Sequence, residues 1–98
     1  MNEYLIEIRL PEIFSEQFIS LIPMQREMVN KLMLQGIIVS YALSLESRKL
    51  WLTMIADSED SVIRHIHSFP VFEFINFAIN KLTFHNNAGL ALPQISLN

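Results

Sequence analysis

Three polar side chains in this sequence, Glu7, Arg9 and His85, could together bind an acidic substrate and transfer a proton on it. Glu7 and Arg9 are two residues apart in an alternating segment, so both point to the same face of a predicted strand. A guanidinium binds a carboxylate substrate, and a nearby carboxylate or imidazole can transfer a proton to or from it. These residues are the candidate catalytic group. The alternatives are an inter-subunit or peripheral salt bridge for Glu7 and Arg9, and a structural role for His85.

Other kinds of site find little support in the sequence. The chain has 98 residues and no cysteine, which excludes disulfides, thiol catalysis and thiolate metal sites. His65 and His67 are two apart on a predicted helix, so they point to different sides and cannot share a metal. Gly36 is the only glycine before position 89, which leaves no loop that could hold a phosphate. We therefore predict neither a metal nor a cofactor.

The charge pattern argues against nucleic-acid binding, a signal peptide and a membrane span. The formal net charge is −3, and the seven basic residues are scattered, whereas nucleic-acid binding requires a basic stripe. The acidic start of the chain does not resemble a signal peptide. The two longest charge-free stretches, residues 32–45 and 82–98, are too short or too polar to span a membrane. The sequence therefore predicts a cytoplasmic protein that binds neither nucleic acid nor membrane.

Hydrophobic periodicity predicts six elements. Residues 4–10, 37–45, 49–56 and 72–85 have strand character, the last with a bulge near residues 80–81. A long helix begins after Ser15, ends at Gly36, and is kinked or broken near residues 21–22 by Pro23. A short helix capped by Asp57 or Ser58 ends at Pro70.

The order strand, helix, strand, strand, helix, strand predicts a ferredoxin-like α+β fold. Such a fold has a four-stranded antiparallel sheet with both helices on one face. The prediction is one domain over residues 1–98, in which residues 86–98 form a C-terminal arm on a neighbouring subunit.

The second face of this sheet is predicted to be too apolar for contact with water. We place Leu5, Ile38, Ala42, Trp51 and Ile55 on it, interleaved with polar residues. A second sheet lying against this face would form a homodimer, an α/β barrel made of two sheets. The predicted interface residues are Leu5, Ile38, Trp51 and Ile55 of the sheet, with Leu90 and Leu92 of the arm.

Several short motifs resemble the muconolactone isomerase family of the dimeric α/β barrel superfamily. They are Arg9-Leu10-Pro11 closing the first strand, Gly36 after the long helix, the segment 69–74, and His85 before small polar residues. The resemblance implies ferredoxin-like subunits paired sheet to sheet, and a metal-free isomerase with its pocket between sheet and helices. The family's second strand bears basic and imidazole groups near the pocket, whereas residues 37–43 have neither. The resemblance therefore extends to fold and assembly, and not to catalytic residues.

Two classes of function follow. The first is a cofactor-independent isomerase or lyase that transfers a proton on a small cyclic or aromatic acid or a lactone, using His85, Glu7 and Arg9. The second is a non-catalytic oligomeric protein that binds a small apolar molecule or serves only as a structural module. A pocket with convergent polar groups would favour the enzyme, and a closed apolar interior would favour the structural module.

Overall fold

The computed structural model describes residues 1–88. Its strands and α-helices are, in chain order, β1 (Asn2–Arg9), α1 (Glu16–Leu34), β2 (Ile38–Ser44), β3 (Lys49–Ala56), α2 (Glu59–His67) and β4 (Asn76–Lys81). A short 3₁₀ helix, Phe72–Phe74, precedes β4. None of the helices within residues 1–88 has the length and apolar character needed to cross a lipid bilayer.

The strands form one antiparallel sheet in the order β2-β3-β1-β4. This order, with one crossover helix after β1 and another after β3, is the ferredoxin-like α+β fold that the sequence predicts. β1 lies in the centre between β3 and β4, so the side chains of Glu7 and Arg9 are positioned by a strand that is paired on both sides.

Both helices cover the same face of the sheet. Alternate residues of the two central strands, Tyr4, Ile6 and Ile8 of β1 and Leu52 and Met54 of β3, are buried in the core. The core residues of the helices are Phe18, Val29 and Leu32 from α1, and Val62 and Ile66 from α2. This side of the sheet therefore holds the hydrophobic core, and the odd-numbered residues of β1 face the opposite side.

The ends of α1 follow from its sequence. The side chain of Ser15 accepts a hydrogen bond from the Phe18 amide at 3.1 Å, as an N-cap does. Gly36 adopts a φ of 75°, and the amide of Ile37 donates to the Leu32 carbonyl at 2.9 Å, which completes a Schellman motif. Both caps confirm the prediction. A break at Pro23 is wrong, because α1 continues through this exposed residue to Leu34.

The predicted last strand is wrong at its start. Residues 72–74 form the 3₁₀ helix, and the strand pairs with β1 only from Asn76. A bulge near residues 80–81 is also wrong, because the register with β1 is regular from Asn76 to Lys81. The aromatic residues Phe72 and Phe74 pack against the core from the 3₁₀ turn, which gives them the burial expected of strand residues.

The irregularity lies instead in β2, where the register with β3 shifts between Ile38 and Ser40. The shift puts Ile38 opposite Met54, on the core side, where only 1% of Ile38 is exposed. The prediction that Ile38 lies on the second face is therefore wrong. A single extra residue reverses the alternation of side chains, and simple period-two counting does not anticipate it.

Candidate functional site

The sheet face that the helices leave uncovered, called the outer face here, carries two of the three candidate catalytic residues. Its members are Glu3, Leu5, Glu7 and Arg9 of β1, Lys49, Trp51, Thr53 and Ile55 of β3, Ser40, Ala42 and Ser44 of β2, and Asn76, Ala78 and Asn80 of β4. Of the predicted interface residues, Leu5, Trp51 and Ile55 lie here and are half-buried.

Glu7 is held by β3 and not by Arg9. Its Oε1 accepts a hydrogen bond from Nε1 of Trp51 at 3.1 Å, and its Oε2 lies 3.7 Å from Nζ of Lys49. Trp51 is directly opposite Glu7 in the register, which explains this contact. Arg9 is exposed and has no hydrogen bond or ion pair from its side chain within residues 1–88. The two charges share a face as predicted, but they do not form a pair.

His85 follows β4 and lies at the far end of the outer face. Its Nδ1 is 2.5 Å from Oε2 of Glu3, and 38% of its side chain is exposed. Glu3 and Glu7 are four residues apart on one strand, so their side chains are separated by about 13 Å. The structure therefore does not bring His85, Glu7 and Arg9 together in one site. It forms a Glu3–His85 pair whose acidic member the sequence interpretation did not select.

The centre of the outer face contains a satisfied polar contact. Thr53 is 3% exposed, and its Oγ1 accepts a hydrogen bond from the Ser40 hydroxyl at 2.9 Å. This pairing across β2 and β3 removes the cost of a buried hydroxyl. The outer face is consequently a mixed surface, with apolar side chains around a few polar groups that are already paired.

A concave site lies on the opposite side of the sheet, between α1 and the ends of β1, β2 and β3. It has a volume of about 380 Å³ and is called the α1 groove here. It is lined by apolar side chains from α1, the sheet and the segment before β4, together with Gln25, Arg26 and Tyr41; the apolar set is Ile8, Leu10, Phe14, Phe18, Ile22, Val29, Leu43, Leu45, Leu50, Phe69, Val71 and Ile75.

One wall of the groove is exposed to solvent. It consists of the edge strand β2 and Leu45, the residue that follows this strand. Tyr41, Leu43 and Leu45 are 44%, 54% and 63% exposed, which makes them more accessible than Trp51 on the outer face. They share the core side of the sheet because Tyr41 is opposite Leu52, and Leu43 is opposite Leu50. The most exposed apolar side chains of the sheet therefore border the groove.

Gln25 provides the polar group deepest in the α1 groove. Its Oε1 accepts a hydrogen bond from the Val71 amide at 3.4 Å, which fixes the orientation of the side-chain amide. Its Nε2 is shielded from solvent and has no hydrogen-bond partner within residues 1–88. Arg26 is exposed at the groove and, within the described chain, has no ionic partner.

The sequence does not single out Gln25 or Arg26. Arg26 lies among other polar residues of a helix, and Gln25 has no distinguishing neighbours. The contact between Gln25 and Val71 joins residues 46 positions apart, and only the folded chain reveals it.

Metal binding has no support in the described part of the chain. No group of three or more acidic or histidine side chains within residues 1–88 could hold a metal ion. The imidazole of His67 stacks on the ring of Phe72, with 4.2 Å between centroids, so this histidine has a packing role. The predicted interface residues Leu90 and Leu92, like most of the predicted arm, lie outside the described residues.

Comparison with known proteins does not assign this chain to a family. No protein-family model matches the sequence, and a search of curated proteins finds no significant match.

Proposed function

We propose that this protein binds a small, largely apolar molecule with a carboxylate or a similar anionic group in the α1 groove. The observation that carries the proposal is the groove's lining: an apolar concavity whose few polar groups can donate hydrogen bonds, with no acidic side chain among its lining residues. The volume of about 380 Å³ falls within the range of about 300–1,000 Å³ that is typical of small-molecule sites.

The apolar lining supports an aromatic or branched aliphatic ligand. Phe14 and Phe18 lie with ring centroids 5.0 Å apart on the α1 side, and exposed leucines form the opposite wall. Burial of apolar surface stabilises a complex by about 25 cal/mol per Å², so a ligand that covers these side chains gains affinity from both walls.

The charge of the groove supports an anionic end on that ligand. Arg26 carries a positive charge at the groove without an ionic partner within residues 1–88. Gln25 is less available, because its Oε1 already accepts from the Val71 amide and its Nε2 is shielded from solvent, so Arg26 is the charged group that a ligand can reach. A carboxylate supplies acceptor atoms for the Arg26 guanidinium, whereas a cationic ligand would be repelled by it.

The sequence suggests two classes of function, and the proposal corresponds to the second, a non-catalytic protein that binds a small molecule. The candidate catalytic residues Glu7 and Arg9 lie on the outer face, and the sheet separates them from the groove. No imidazole or carboxylate lines the groove in residues 1–88. The groove therefore supports ligand binding, but it offers no basis for proton transfer by Glu7, Arg9 and His85.

Thermal shift with matched ligands tests the proposal. We expect benzoate, phenylacetate or cinnamate to raise the melting temperature more than the corresponding primary amides or a neutral lactone. Arg26→Gln should weaken carboxylate binding by about two- to tenfold, as expected for the loss of a partly exposed charge–charge contact. Arg64→Gln on α2, which removes an exposed charge outside the groove, is the matched control.

A groove-filling substitution separates specific from unspecific stabilisation. Leu43→Trp places a large ring at the exposed wall of the groove without changing a core residue, and it should abolish the shift for every ligand. Shifts that persist unchanged in Leu43→Trp, or the lack of any shift with all carboxylates, would contradict binding in the groove.

We also propose that the chain associates with a second copy of itself through the outer face. The support is the half-buried apolar group of Leu5, Trp51 and Ile55 beside the paired Ser40–Thr53 hydroxyls. Protein interfaces combine apolar side chains with hydrogen-bonded polar groups, as this face does. Light scattering across a range of concentrations tests this: we expect a dimer mass, and a monomer at every concentration would contradict it.

A further inference from the structure

The two basic residues of β1 and β3 on the outer face lie together at one end of it, and the acidic Glu3 lies at the other end. Arg9 and Lys49 are directly opposite each other in the β1–β3 register, at one end of the face. Glu3 is six residues from Arg9 on the same strand, so it lies about 20 Å away at the other end. Leu5, Glu7 and Trp51 occupy the rows between these ends.

The basic end is only partly neutralised within residues 1–88. Lys49 has one acidic neighbour, Glu7, at 3.7 Å, while Arg9 has none. Like charges directly opposite each other in a sheet are unfavourable. A negative group supplied by a partner would relieve this repulsion, and a second copy carries such a group at the opposite end of the same face.

Two sheets related by a two-fold axis between them can stack in two limiting ways. An axis parallel to the strands places the row of Arg9 and Lys49 over the same row of the second copy, so four positive charges meet. An axis perpendicular to the strands reverses the rows and places Arg9 over Glu3 of the second copy. A two-fold interface forms every such contact twice, so its electrostatic consequence is doubled.

On the basis of the association proposed above, we infer that two copies pack with their β1 strands antiparallel across the interface, Arg9 of each against Glu3 of the other. Stacked sheets are about 10 Å apart, a distance that an arginine and a glutamate pointing toward each other can span. The same contact places the imidazole of His85 beside the inter-subunit pair, since His85 lies against Glu3. The outer face is then self-complementary in charge.

Charge reversal tests this orientation. Arg9→Glu brings a carboxylate against Glu3 of the second copy at two symmetric positions, and the dimer dissociation constant should rise at least about tenfold. Glu3→Lys should weaken the dimer to a similar extent by placing two basic groups together. Mixed in equal amounts, the two variants should form a heterodimer with near wild-type affinity, because both contacts again join opposite charges.

Arg64→Glu makes the same change in net charge on α2, on the other side of the sheet, and is the matched control. Dissociation constants come from sedimentation equilibrium, and circular dichroism establishes that each variant is folded. Tighter association of Arg9→Glu alone would overturn the inference, because the parallel arrangement brings Lys49 of the second copy opposite position 9. Equal affinities for all variants would overturn it as well, while a monomeric wild-type chain would overturn the proposed association itself.

Discussion

Trp51 and Glu7 are joined across the centre of the outer face by a hydrogen bond from the indole Nε1 to a carboxylate oxygen at 3.1 Å. The residues are directly opposite each other on β3 and β1, although 44 positions separate them in the chain. The contact orients the indole ring and occupies one oxygen of Glu7, while Lys49 lies near the other. Glu7 therefore orients Trp51 on the outer face. Its position in the sequence had suggested a role in acid–base chemistry instead.

The first prediction concerns Trp51. Trp51→Glu should dissociate the dimer or unfold the chain, because it places a carboxylate beside Glu7 in the proposed interface. Trp51→Phe keeps an aromatic ring but removes the hydrogen bond to Glu7 and part of the ring surface, so we expect a folded dimer that is destabilised by at least about 1 kcal/mol. Light scattering gives the mass, and urea denaturation gives the free energy of unfolding.

Comparison of the two variants identifies the cause. A folded Trp51→Glu variant that remains a dimer at low micromolar concentration would show that the subunits associate elsewhere, for instance through the exposed leucines of β2. Dissociation of both variants would indicate that ring size and the Glu7 contact are jointly required.

Local signals in the sequence predict most of the fold. Ser15 and Gly36 define the ends of α1 because an N-cap oxygen and a left-handed C-terminal residue are requirements of the helix itself. Alternation defines β1 and β3; the two faces of β1 differ in burial at every residue from Glu3 to Arg9, whereas in β3 the outer-face residue Thr53 is buried as well. The bulge after Ile38 could not be predicted, because it depends on the pairing of β2 with β3 and not on the residues of β2 alone.

The site was less predictable than the fold. Glu7 and Arg9 lie on one face as predicted, yet the side-chain partners of Glu7 come from β3 and depend on strand register. The α1 groove depends on the distance between a helix and the edge of a sheet, for which the sequence has no periodic signal. Its polar residue Gln25 is defined by a single long-range contact with Val71.

The second prediction concerns the backbone at Gly36. With φ at 75°, this residue is in the left-handed region, and a Cβ added there would meet no atom within 4 Å. Gly36→Ala should therefore destabilise the protein only through backbone strain, by about 1 kcal/mol. A loss of that size lowers the melting temperature by about 4–8 °C in a domain of 60–100 residues.

Arg48 provides the complementary variant. It has a φ of 52° in the turn between β2 and β3, so Arg48→Gly removes the strain of a side chain in the left-handed region. We expect its melting temperature to equal or exceed that of the unmodified protein. If Gly36→Ala leaves the melting temperature unchanged, the helix ends in a different conformation from the one described.

The third prediction is that muconolactone is not converted at an enzyme-like rate. Positioned acid–base groups typically contribute about 10²–10⁴-fold to proton transfer. The second strand has no basic or imidazole side chain, and within residues 1–88 the α1 groove has no carboxylate or imidazole in its lining. An ultraviolet assay with purified protein measures the reaction directly, and saturable turnover would prove the prediction wrong.

The last prediction concerns the predicted arm, residues 86–98, of which residues 89–98 lie outside the described part of the chain and are addressed from their sequence. The arm has no charged side chain and contains four large aliphatic residues at spacings typical of a segment with one buried side: Leu90, Leu92, Ile95 and Leu97. A segment that stays unfolded in water usually has more charge and fewer aliphatic residues. We therefore expect this segment to lie as an arm on a neighbouring subunit. Hydrogen bonds to a strand edge must contribute besides apolar burial, although Pro93 limits their number.

Truncation after Asn87 should lower both the oligomer mass at a given concentration and the melting temperature. A lower melting temperature with an unchanged mass and concentration dependence would place the arm on its own subunit, and this prediction would then be wrong.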